Sequence, residues 1–418
     1  MKSVNCITGR KPKRQAIGLV AALSVLMLLA TGMPAATSAA PDRVDVIIAF
    51  HSNPGPADEA LVRGLGGRVK GSYTIVPAVA ASIPAAAAEA LQHNPRVASV
   101  ELDIEVQAAD LADADTAEMS GAWGVDRLDA NLVWSTANGA GVGVAIVDSG
   151  SGPHTDLPDA LVRVNCLSGT CVSGGNDDNG HGTHVAGSVL AVQNGVGVVG
   201  MAPGASLFSY KVLSSSGSGS YSAVIAALDK IVADNASGAN TPRIQVANFS
   251  LGSSGDPGST TKAAFDNAYA SGVLIIGAAG NSGNPKGKSN NVIYPARYDS
   301  VVAVAATDKS DKRASWSSTG PSVELAAPGV SIKSTWLNNG YNTISGTSMA
   351  TPHVTGAAAL VFAAGAVNDA NGTNGVADEV RALLDSTAKD LGSSGRDSLY
   401  GYGLVNPPKA VGVGDTHF

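Results

Sequence analysis

The chain has 418 residues, enough for one large domain or two smaller ones. Charged residues make up 15% of the sequence and glycine occurs 50 times, which indicates a globular, turn-rich protein and excludes a disordered one. The net charge is −7 at pH 7, and such an acidic chain is a poor partner for nucleic acid or an anionic membrane surface.

Residues 1–40 have the composition of a secretory signal peptide. Basic residues come first, an apolar core follows at residues 16–30, and small residues end the segment at 38–40. The apolar core is shorter than the about 20 residues that a membrane-spanning helix needs. We therefore expect this segment to be removed and the protein to be secreted to the extracellular space; the alternative is a membrane anchor.

Residues 41–108 are predicted to form a small α+β domain. Strands are expected at residues 44–50, 69–79 and 97–106, and helices at 57–65 and 85–93. This order of elements predicts a ferredoxin-like, split βαβ sandwich. Residues 109–118 follow as an acidic, alanine-rich linker that a protease could reach easily.

From residue 119 onward, apolar strand patterns alternate with helical ones. Continuous apolar runs, typical of strands buried on both faces, occur at residues 142–147, 206–212, 244–248, 273–278 and 301–305. Apolar residues between 224 and 232 have helical spacing. Residues 119–418 are therefore predicted to form an α/β domain with a parallel sheet, and its site is expected at the carboxyl ends of the strands.

One polar residue stands at such a strand end, and two histidines stand at the start of a helix. Asp148 closes the first buried run, where it could be functional or could simply form a turn or cap a helix. His181 and His184 lie three residues apart at the start of a predicted helix. They could form a metal pair, but the H-E-x-x-H zinc pattern is absent. We interpret His181 as catalytic and His184 as structural.

Ser348 precedes a third apolar helix, in the stretch G-T-S-M-A-T-P-H-V at residues 346–354. Pro352 is predicted to lie in the first turn of this helix, where its missing N–H group costs nothing. A serine at the positive end of a helix is well placed to be a nucleophile, because a negative oxygen forms there during the reaction. The alternative is that Thr347 or Ser348 only caps the helix.

The chain order Asp, His, Ser is one of the known orders of a catalytic triad. The stretches D-S-G at 148–150, H-G-T-H-V-A-G at 181–187 and the serine stretch resemble the signatures of subtilisin-like serine proteases. A-A-G-N at 278–281 resembles the segment that supplies the oxyanion-hole amide in that family. The resemblance covers nearly all of residues 119–418. The G-x-S-x-G pattern of α/β-hydrolases is absent.

The resemblance implies an α/β, three-layer catalytic domain and a secreted serine endopeptidase that acts on polypeptides. It implies that Ser348 attacks the peptide carbonyl, His181 transfers the proton and Asp148 orients His181. Asn281 and the Ser348 N–H group would hold the oxyanion. A non-catalytic binding protein on the same scaffold, or an esterase with the same triad, are the alternatives.

Further positions are implied by the resemblance. The substrate would bind as an extended strand that pairs with two segments, Ser250-Leu251-Gly252 on one side and Gly217-Ser218-Gly219 on the other. Ala279 and Gly280 would help to wall the main specificity pocket. Ile293 stands where some relatives have glycine, which predicts a shallow pocket for small or medium apolar residues.

A structural calcium ion is also implied, since residues 154–157 and 192–198 resemble the two halves of the tight calcium site of the family. The ligands would be hard oxygens, with Glu118 as a possible addition: Asp156, Asn194 and the carbonyls of Val192, Val196 and Val198. The alternative is a surface turn without an ion. No organic cofactor is expected.

Cys166 and Cys171 are five positions apart, and Cys6 lies in the predicted signal segment. In an exported protein we expect Cys166 and Cys171 to form a local disulfide; free thiols are the alternative. Residues 41–108 resemble the propeptide of the family, which implies that they inhibit the enzyme and help the slow-folding parallel sheet to form until they are cut off within residues 108–119. The mature enzyme is expected to be a monomer without nucleic-acid or membrane partners.

Overall fold

The computed structural model describes residues 43–108, 111–112, 121–372 and 375–418. The predicted signal segment and most of the acidic linker, including Glu118, lie outside the described residues. The described residues belong to one compact unit. Within the part of the chain that is described, no helix is both long and apolar enough to cross a bilayer.

The N-terminal region is a four-stranded antiparallel sheet in the order β2-β3-β1-β4, covered by two helices. The predicted strand at 69–79 is broken by a turn at residues 74–77 and so belongs to two neighbouring strands. The elements are β1 (Arg43–Phe50), α1 (Pro56–Gly64), β2 (Arg68–Tyr73), β3 (Ala78–Pro84), α2 (Ala85–Gln92) and β4 (Val97–Leu102).

The rest of the chain is built on an eight-stranded sheet in the order β16-β15-β14-β12-β7-β10-β8-β9, parallel except for the last pair. Its strands and those of two small sheets are β5 (Glu105–Ala108), β6 (Leu111–Ala112), β7 (Gly143–Asp148), β8 (Val162–Asn165), β9 (Val172–Ser173), β10 (Ser206–Lys211), β11 (Ser218–Ser220), β12 (Ile244–Phe249), β13 (Leu251–Gly252), β14 (Leu274–Ala278), β15 (Val301–Thr307), β16 (Val323–Pro328), β17 (Ile332–Trp336) and β18 (Gly340–Ser345).

Helices cover both faces of this sheet. They are α3 (Trp123–Arg127), α4 (Ala130–Val133), α5 (His181–Leu190), α6 (Tyr221–Ser237), α7 (Ser259–Ala270), α8 (Thr347–Ala364), α9 (Ala377–Thr387) and α10 (Pro407–Val411), with a 3-10 turn at Leu337–Asn339. Alternate residues of β7 face opposite sides: Val144 and Ile146 pack with α5 and α8, whereas Ala145 and Val147 pack with α6 and α7. The α/β, three-layer, parallel-sheet prediction is confirmed.

Residues 97–106, predicted as one strand, form two strands of different sheets, so that prediction was wrong. The chain leaves the N-terminal sheet after Leu102, because Asp103 turns to the start of α6. There its carboxylate accepts hydrogen bonds from the backbone N–H (2.8 Å) and the hydroxyl (2.5 Å) of Ser222. β5 then pairs on one side with β11 and on the other with β13.

Two buried histidines lie in the central helices. His184 Nε2 is 2.9 Å from the carbonyl oxygen of Ile332, and His353 Nδ1 is 2.8 Å from that of Met349, so each nitrogen donates to its carbonyl. Burial lowers the pKa of His184 to about 3 and that of His353 to about 4, because a charged ring would lose its hydration. His184 is therefore a core side chain, as its apolar neighbours in the sequence predicted.

These two histidines make the stability sensitive to acid. Above pH 6.5 the rings are mainly neutral in both the folded and the unfolded chain. Below pH 6.5 the unfolded chain binds protons and the folded chain does not, so the free energy of unfolding falls. His184→Gln keeps an N–H donor for Ile332 without a titrating ring. Between pH 7 and pH 4.5 we expect this variant to lose about 2–3 kcal/mol less unfolding free energy than the wild type.

Urea unfolding of uncut chains that also carry Ser348→Ala measures this difference at the two pH values, because the expected removal of residues 41–108 would remove the control position 51. His51→Gln, at an exposed position, is the matched control and is expected to leave the pH dependence almost unchanged. Equal acid losses in the wild type and His184→Gln would contradict the prediction.

Candidate active site

Asp148 and His181 are in direct contact. Asp148 is the last residue of β7 and is fully buried, and His181 is the first residue of α5. His181 Nδ1 lies 2.8 Å from Asp148 Oδ1. The helix can approach the strand this closely because residue 182 is glycine: a Cβ atom there would lie 2.0 Å from the carbonyl oxygen of Gly150. The sheet edge thus holds the imidazole against the carboxylate.

The turn that leads to His181 is organised by Asp177, a buried carboxylate that the sequence analysis did not single out. Its Oδ1 accepts hydrogen bonds from the Ser149 hydroxyl (2.9 Å) and from the backbone N–H groups of Asn179 (2.9 Å) and Gly180 (3.0 Å). Its Oδ2 accepts two more, from the backbone N–H and the hydroxyl of Thr183. Asp177 therefore fixes both ends of the turn that carries the imidazole.

Lys211 is a second buried group that ties this rim together. Its ammonium donates to the carbonyl oxygens of Ser149 and Leu213, both at 2.7 Å, and to Asp178 Oδ1 at 2.6 Å. The side chain is 4% exposed. One buried charge thus joins the end of β7, the end of β10 and the turn before His181.

Ser348 is the second residue of α8, and it exchanges hydrogen bonds with Ser250 at the end of β12. The Ser348 hydroxyl donates to the Ser250 carbonyl oxygen at 3.0 Å, and the Ser250 hydroxyl donates to the Ser348 carbonyl oxygen at 2.8 Å. Pro352 lies in the second turn of α8, so the prediction of a first-turn position was wrong. Because Pro352 has no N–H group, the Ser348 carbonyl accepts no helical bond from it and is available to Ser250.

Asn281 is held beside Ser348 through Thr347. Its Oδ1 accepts hydrogen bonds from the Thr347 backbone N–H and from the Thr347 hydroxyl, both at 3.0 Å. The Thr347 oxygen in turn accepts the backbone N–H of Gly280 at 3.0 Å. The amide oxygen of Asn281 is therefore committed to Thr347, and its nitrogen is the group that can serve as a donor.

These pairs lie at one edge of the sheet. β7, β12 and β14 are neighbours, with Asn248 opposite both Ile146 and Ile276. Asp148, Ser250 and Asn281 follow the carboxyl ends of these three strands, and α5 packs against α8. Strand neighbours are about 4.8 Å apart. The structure thus gathers the four candidate catalytic residues at the edge where parallel sheets hold their sites.

The N-terminal region crosses this edge as an extended chain. Backbone pairing sets Gln107 opposite both Ser218 and Gly252, and Ala108 opposite Leu251. Farther on, Leu111 pairs with Ser345, three residues before Ser348. The predicted substrate segments 217–219 and 250–252 therefore flank a groove that a strand of the same chain occupies.

Comparison with known proteins identifies the family. A model of the Subtilase family matches residues 139–403. The chain belongs to this family. It is 45% identical to subtilisin DY of Bacillus licheniformis over 292 residues, which cover 69% of this chain and 98% of that protein.

Two further relatives extend the match toward the N-terminus. Subtilisin E of Bacillus subtilis (strain 168) is 36% identical over 410 residues, 96% of this chain and 100% of that protein. Minor extracellular protease Epr of the same strain is 35% identical over 401 residues, 94% of this chain and 58% of that protein. This subtilase is a serine endopeptidase that acts on polypeptides.

Ile293 of the subtilase lies between the two predicted pocket walls. Its backbone N–H donates to the Ala279 carbonyl oxygen at 3.0 Å. A Cβ atom added at Gly252 or at Gly280 would lie 2.8 Å from Ile293 side-chain carbons. The side chain therefore fills the space between the segments that the resemblance assigns to the pocket.

The residues predicted to hold calcium meet around Asp156, which is 1% exposed. Its carboxylate accepts hydrogen bonds from the Asn194 amide (2.9 Å), the Val198 backbone N–H (3.1 Å) and the Tyr341 hydroxyl (3.1 Å). Among the described residues Asp156 forms no ion pair, and no cluster of three His, Cys, Asp or Glu side chains suited to a metal occurs. The Asn194 side chain meets Asp156 through its nitrogen, and its Oδ1 accepts the Val196 backbone N–H at 2.9 Å. A buried carboxylate whose hydrogen-bond partners are all neutral is the kind of oxygen ligand that calcium binds.

Cys166 and Cys171 form a disulfide in the structure, with a Cα–Cα distance of 4.0 Å. The bridge closes the turn between β8 and β9, which pair in an antiparallel hairpin. The predicted disulfide is therefore present in the structure, and the alternative of two free thiols is contradicted.

Proposed function

We propose that this subtilase hydrolyses peptide bonds through attack by Ser348, with His181 as general base and Asp148 as the group that orients it. The observation that carries the proposal is the 2.8 Å hydrogen bond between His181 and Asp148, at the strand edge where Ser348 also lies. The family membership supports it, because a serine endopeptidase requires such a nucleophile and base.

The proton path follows from this pair. Asp148 accepts the Nδ1–H of His181, which makes Nε2 the basic atom of the ring. Nε2 takes the Ser348 hydroxyl proton as Oγ bonds to the peptide carbonyl carbon, and then gives it to the leaving amine while the acyl group stays on Oγ. A water molecule then gives a proton to Nε2 and attacks the acyl carbon. The bond to Oγ breaks, Nε2 returns the proton to Oγ, and the carboxylic acid product is released. Asp148 stays ionised throughout and stabilises the imidazolium.

The oxyanion would be held by the Asn281 side-chain nitrogen and the Ser348 backbone N–H. The hydrogen bonds from Thr347 to the Asn281 oxygen support this role, since they fix the amide in one orientation before substrate binds. The Ser348 N–H lies in the first turn of α8, where backbone amides point out of the helix toward developing negative charge.

We propose that the enzyme is made as a secreted, self-inhibited precursor. Residues 1–40 would be the signal peptide, 41–108 the inhibitory and folding unit, 109–118 the processing linker and 119–418 the peptidase domain. The pairing of β5 with β11 and β13 supports inhibition, because the unit blocks the groove as a substrate-like strand. The contacts of the unit with α6, such as the hydrogen bond between Asp103 and Ser222, would help the parallel sheet of the peptidase domain to form.

We propose that the chain is cut between Ala108 and Leu111, and the pairing of β5 and β6 on either side of the site supports this position. The wild-type chain is expected to give an active product whose N-terminus is Ala109, Asp110 or Leu111. Ser348→Ala is expected to remain uncut, and the hydrolysis of a protein substrate to fall by about 10⁶-fold, as it does when a protease of this family loses its nucleophile.

N-terminal sequencing, substrate assays and mass mapping after an active-site phosphonate measure these outcomes. Ser386→Ala, on the exposed side of α9, is the matched control and is expected to be processed normally. Label on a residue other than Ser348, or a mature N-terminus upstream of Val97, would contradict the proposal.

We also propose that Ile293 makes the main specificity pocket shallow, so that small or medium apolar residues fit best before the cleaved bond. The closeness of Ile293 to Gly252 and Gly280 supports this. Ile293→Gly is expected to raise kcat/KM at least tenfold for peptides with Phe at that position relative to Ala, because about one aliphatic side chain of space is opened. A peptide library measures the ratio, and an unchanged profile would contradict the assignment.

We propose that Asp156 and Asn194, with the carbonyls of Val192, Val196 and Val198, hold a structural calcium ion. Asp156 is 1% exposed and has no ion-pair partner in the part of the chain that the structure describes, which supports the site. The bound ion would add positive charge where a buried carboxylate lacks it and would pin residues 192–198 to Asp156. It takes no part in the proton transfers.

A chelator is therefore expected to lower the melting temperature of the Ser348→Ala protein. At a hundredfold excess of calcium over its Kd the ion would contribute about 2.7 kcal/mol. Asp156→Asn should melt at the same temperature with and without calcium, whereas Asp159→Asn, at an exposed position, should keep the difference. If the chelator left the melting temperature of the Ser348→Ala protein unchanged, the result would contradict the assignment.

Secretion and a monomeric mature enzyme complete the proposal. The disulfide supports an oxidising destination. The relative Epr is an extracellular protease by name, which supports the same destination for this chain.

A further inference from the structure

The disulfide-bridged turn, defined as residues 166–171, has no role in the mechanism described above. It is well ordered by its own contacts: the Gly169 backbone N–H donates to the Cys166 carbonyl oxygen at 2.9 Å, and the Leu167 N–H donates to the Asn165 side chain at 3.0 Å. Cys166 is fully buried. The bridge therefore fixes the shape of a turn that projects from the edge of the main sheet.

This turn contacts the N-terminal unit backbone to backbone. A Cβ atom at Gly71 of β2 would lie 2.0 Å from the Gly169 carbonyl oxygen and 3.3 Å from the Thr170 methyl carbon. From the other side, a Cβ atom at Gly169 would lie 3.2 Å from Lys70 Cβ. Such an approach leaves no room for a side chain at residue 71.

Tyr73 lies in a notch beside this contact. Its ring is 2% exposed, and its hydroxyl donates to the Ser222 carbonyl oxygen at 2.9 Å in the first turn of α6. A Cβ atom at Gly169 would lie 3.4 Å from the same hydroxyl oxygen. The sulfur of Cys171 is 3.4 Å from the carbonyl oxygen of Ala226, also in α6. The bridged turn and α6 thus form two walls of the notch that holds Tyr73.

We propose that the disulfide-bridged turn is a docking surface for the N-terminal unit, separate from the groove, and that it sets how long the unit stays bound after the chain is cut. The inference rests on the proposed inhibitory role of that unit. The unit contacts the peptidase domain through β5 in the groove, and Gly71 and Tyr73 contact it at the notch. Thr74, Glu101 and Asp103 also form hydrogen bonds with α6 and α7, so each contact raises the effective concentration of the others. Loss of the turn contact speeds the release of the N-terminal unit, and it leaves the active site of the mature enzyme unchanged.

Gly71→Ala tests this in the full-length chain. Its methyl group has to displace the Gly169 carbonyl, and we expect the delay between chain cutting and full activity to shorten at least tenfold. Once the unit is degraded, kcat/KM should equal that of the wild type, because residue 71 is no longer present. Gly64→Ala is the matched control, since a Cβ atom there meets nothing within 4 Å. Equal delays for Gly71→Ala, Gly64→Ala and the wild type would overturn the proposal.

The double variant Cys166→Ser, Cys171→Ser tests the same surface from the peptidase side, where folding of the N-terminal unit is not altered. It is expected to shorten the delay as well, and a wild-type delay would contradict the role of the bridge. Hydrogen exchange in uncut Ser348→Ala chains gives a readout that needs no peptidase activity. Gly71→Ala should speed exchange at residues 72–73 and 166–171, and Gly64→Ala should not.

These readouts separate the two levels of the proposal. If the proposed inhibition fails, wild-type activity shows no delay after cutting, yet the exchange experiment still tests the docking surface. If the docking surface fails, the delay persists unchanged in the variants and exchange at residues 166–171 is the same in all chains.

Discussion

The reciprocal hydrogen bonds between Ser250 and Ser348 are the constraint on which the site depends. They join the first turn of α8 to the carboxyl end of β12 and are possible because Pro352 withholds the N–H group that would otherwise bind the Ser348 carbonyl. A proline in the second turn of a long, buried helix would normally be a defect. Here the acceptor that it leaves open is satisfied by a neighbouring strand, so helix and sheet are locked at a fixed distance.

The opposite side of the site is fixed by buried charge. Asp177 accepts five hydrogen bonds around the turn before His181, and Lys211 donates three into the same rim. Buried charged groups are costly unless their hydrogen bonds are satisfied, and once satisfied they hold their partners to a narrow geometry. This polar network reaches the Asp148–His181 contact through two of its members. The Ser149 backbone N–H donates to Asp148 Oδ1 at 2.7 Å, and Asn179 Oδ1 accepts the His181 backbone N–H at 3.1 Å.

Much of the fold could be predicted from the sequence because its strands are buried on both faces. Runs such as residues 142–147 and 301–305 have no polar face, and they became β7 and β15 within one or two residues. The strand ends at Asp148 and at Asn281 were identifiable because short motifs mark them. β16 was missed, since Glu324 interrupts its apolar pattern; the carboxylate of Glu324 is accommodated by an ion pair with Arg381, 57 residues away.

Other features depend on contacts that no local pattern encodes. The break between β4 and β5 occurs because Asp103 binds the start of α6, more than 100 residues later. Lys211 is the last residue of β10, and nothing near it in the sequence shows that its ammonium is buried; the fold brings three acceptors from separate segments around it. Asp177 carried a weak signal, because an Asp in a loop often accepts the backbone N–H of the residue two positions on, as Asp177 does from Asn179.

The path of the chain from β5 to β6 has a consequence for the kinetics of maturation. Under the proposed mechanism, the segment to be cut is held on both sides of Ser348 by strands of its own molecule. The encounter needs no second molecule, so the half-time of cutting is independent of protein concentration, and dilution does not slow it. Each chain matures alone, even when it is rare.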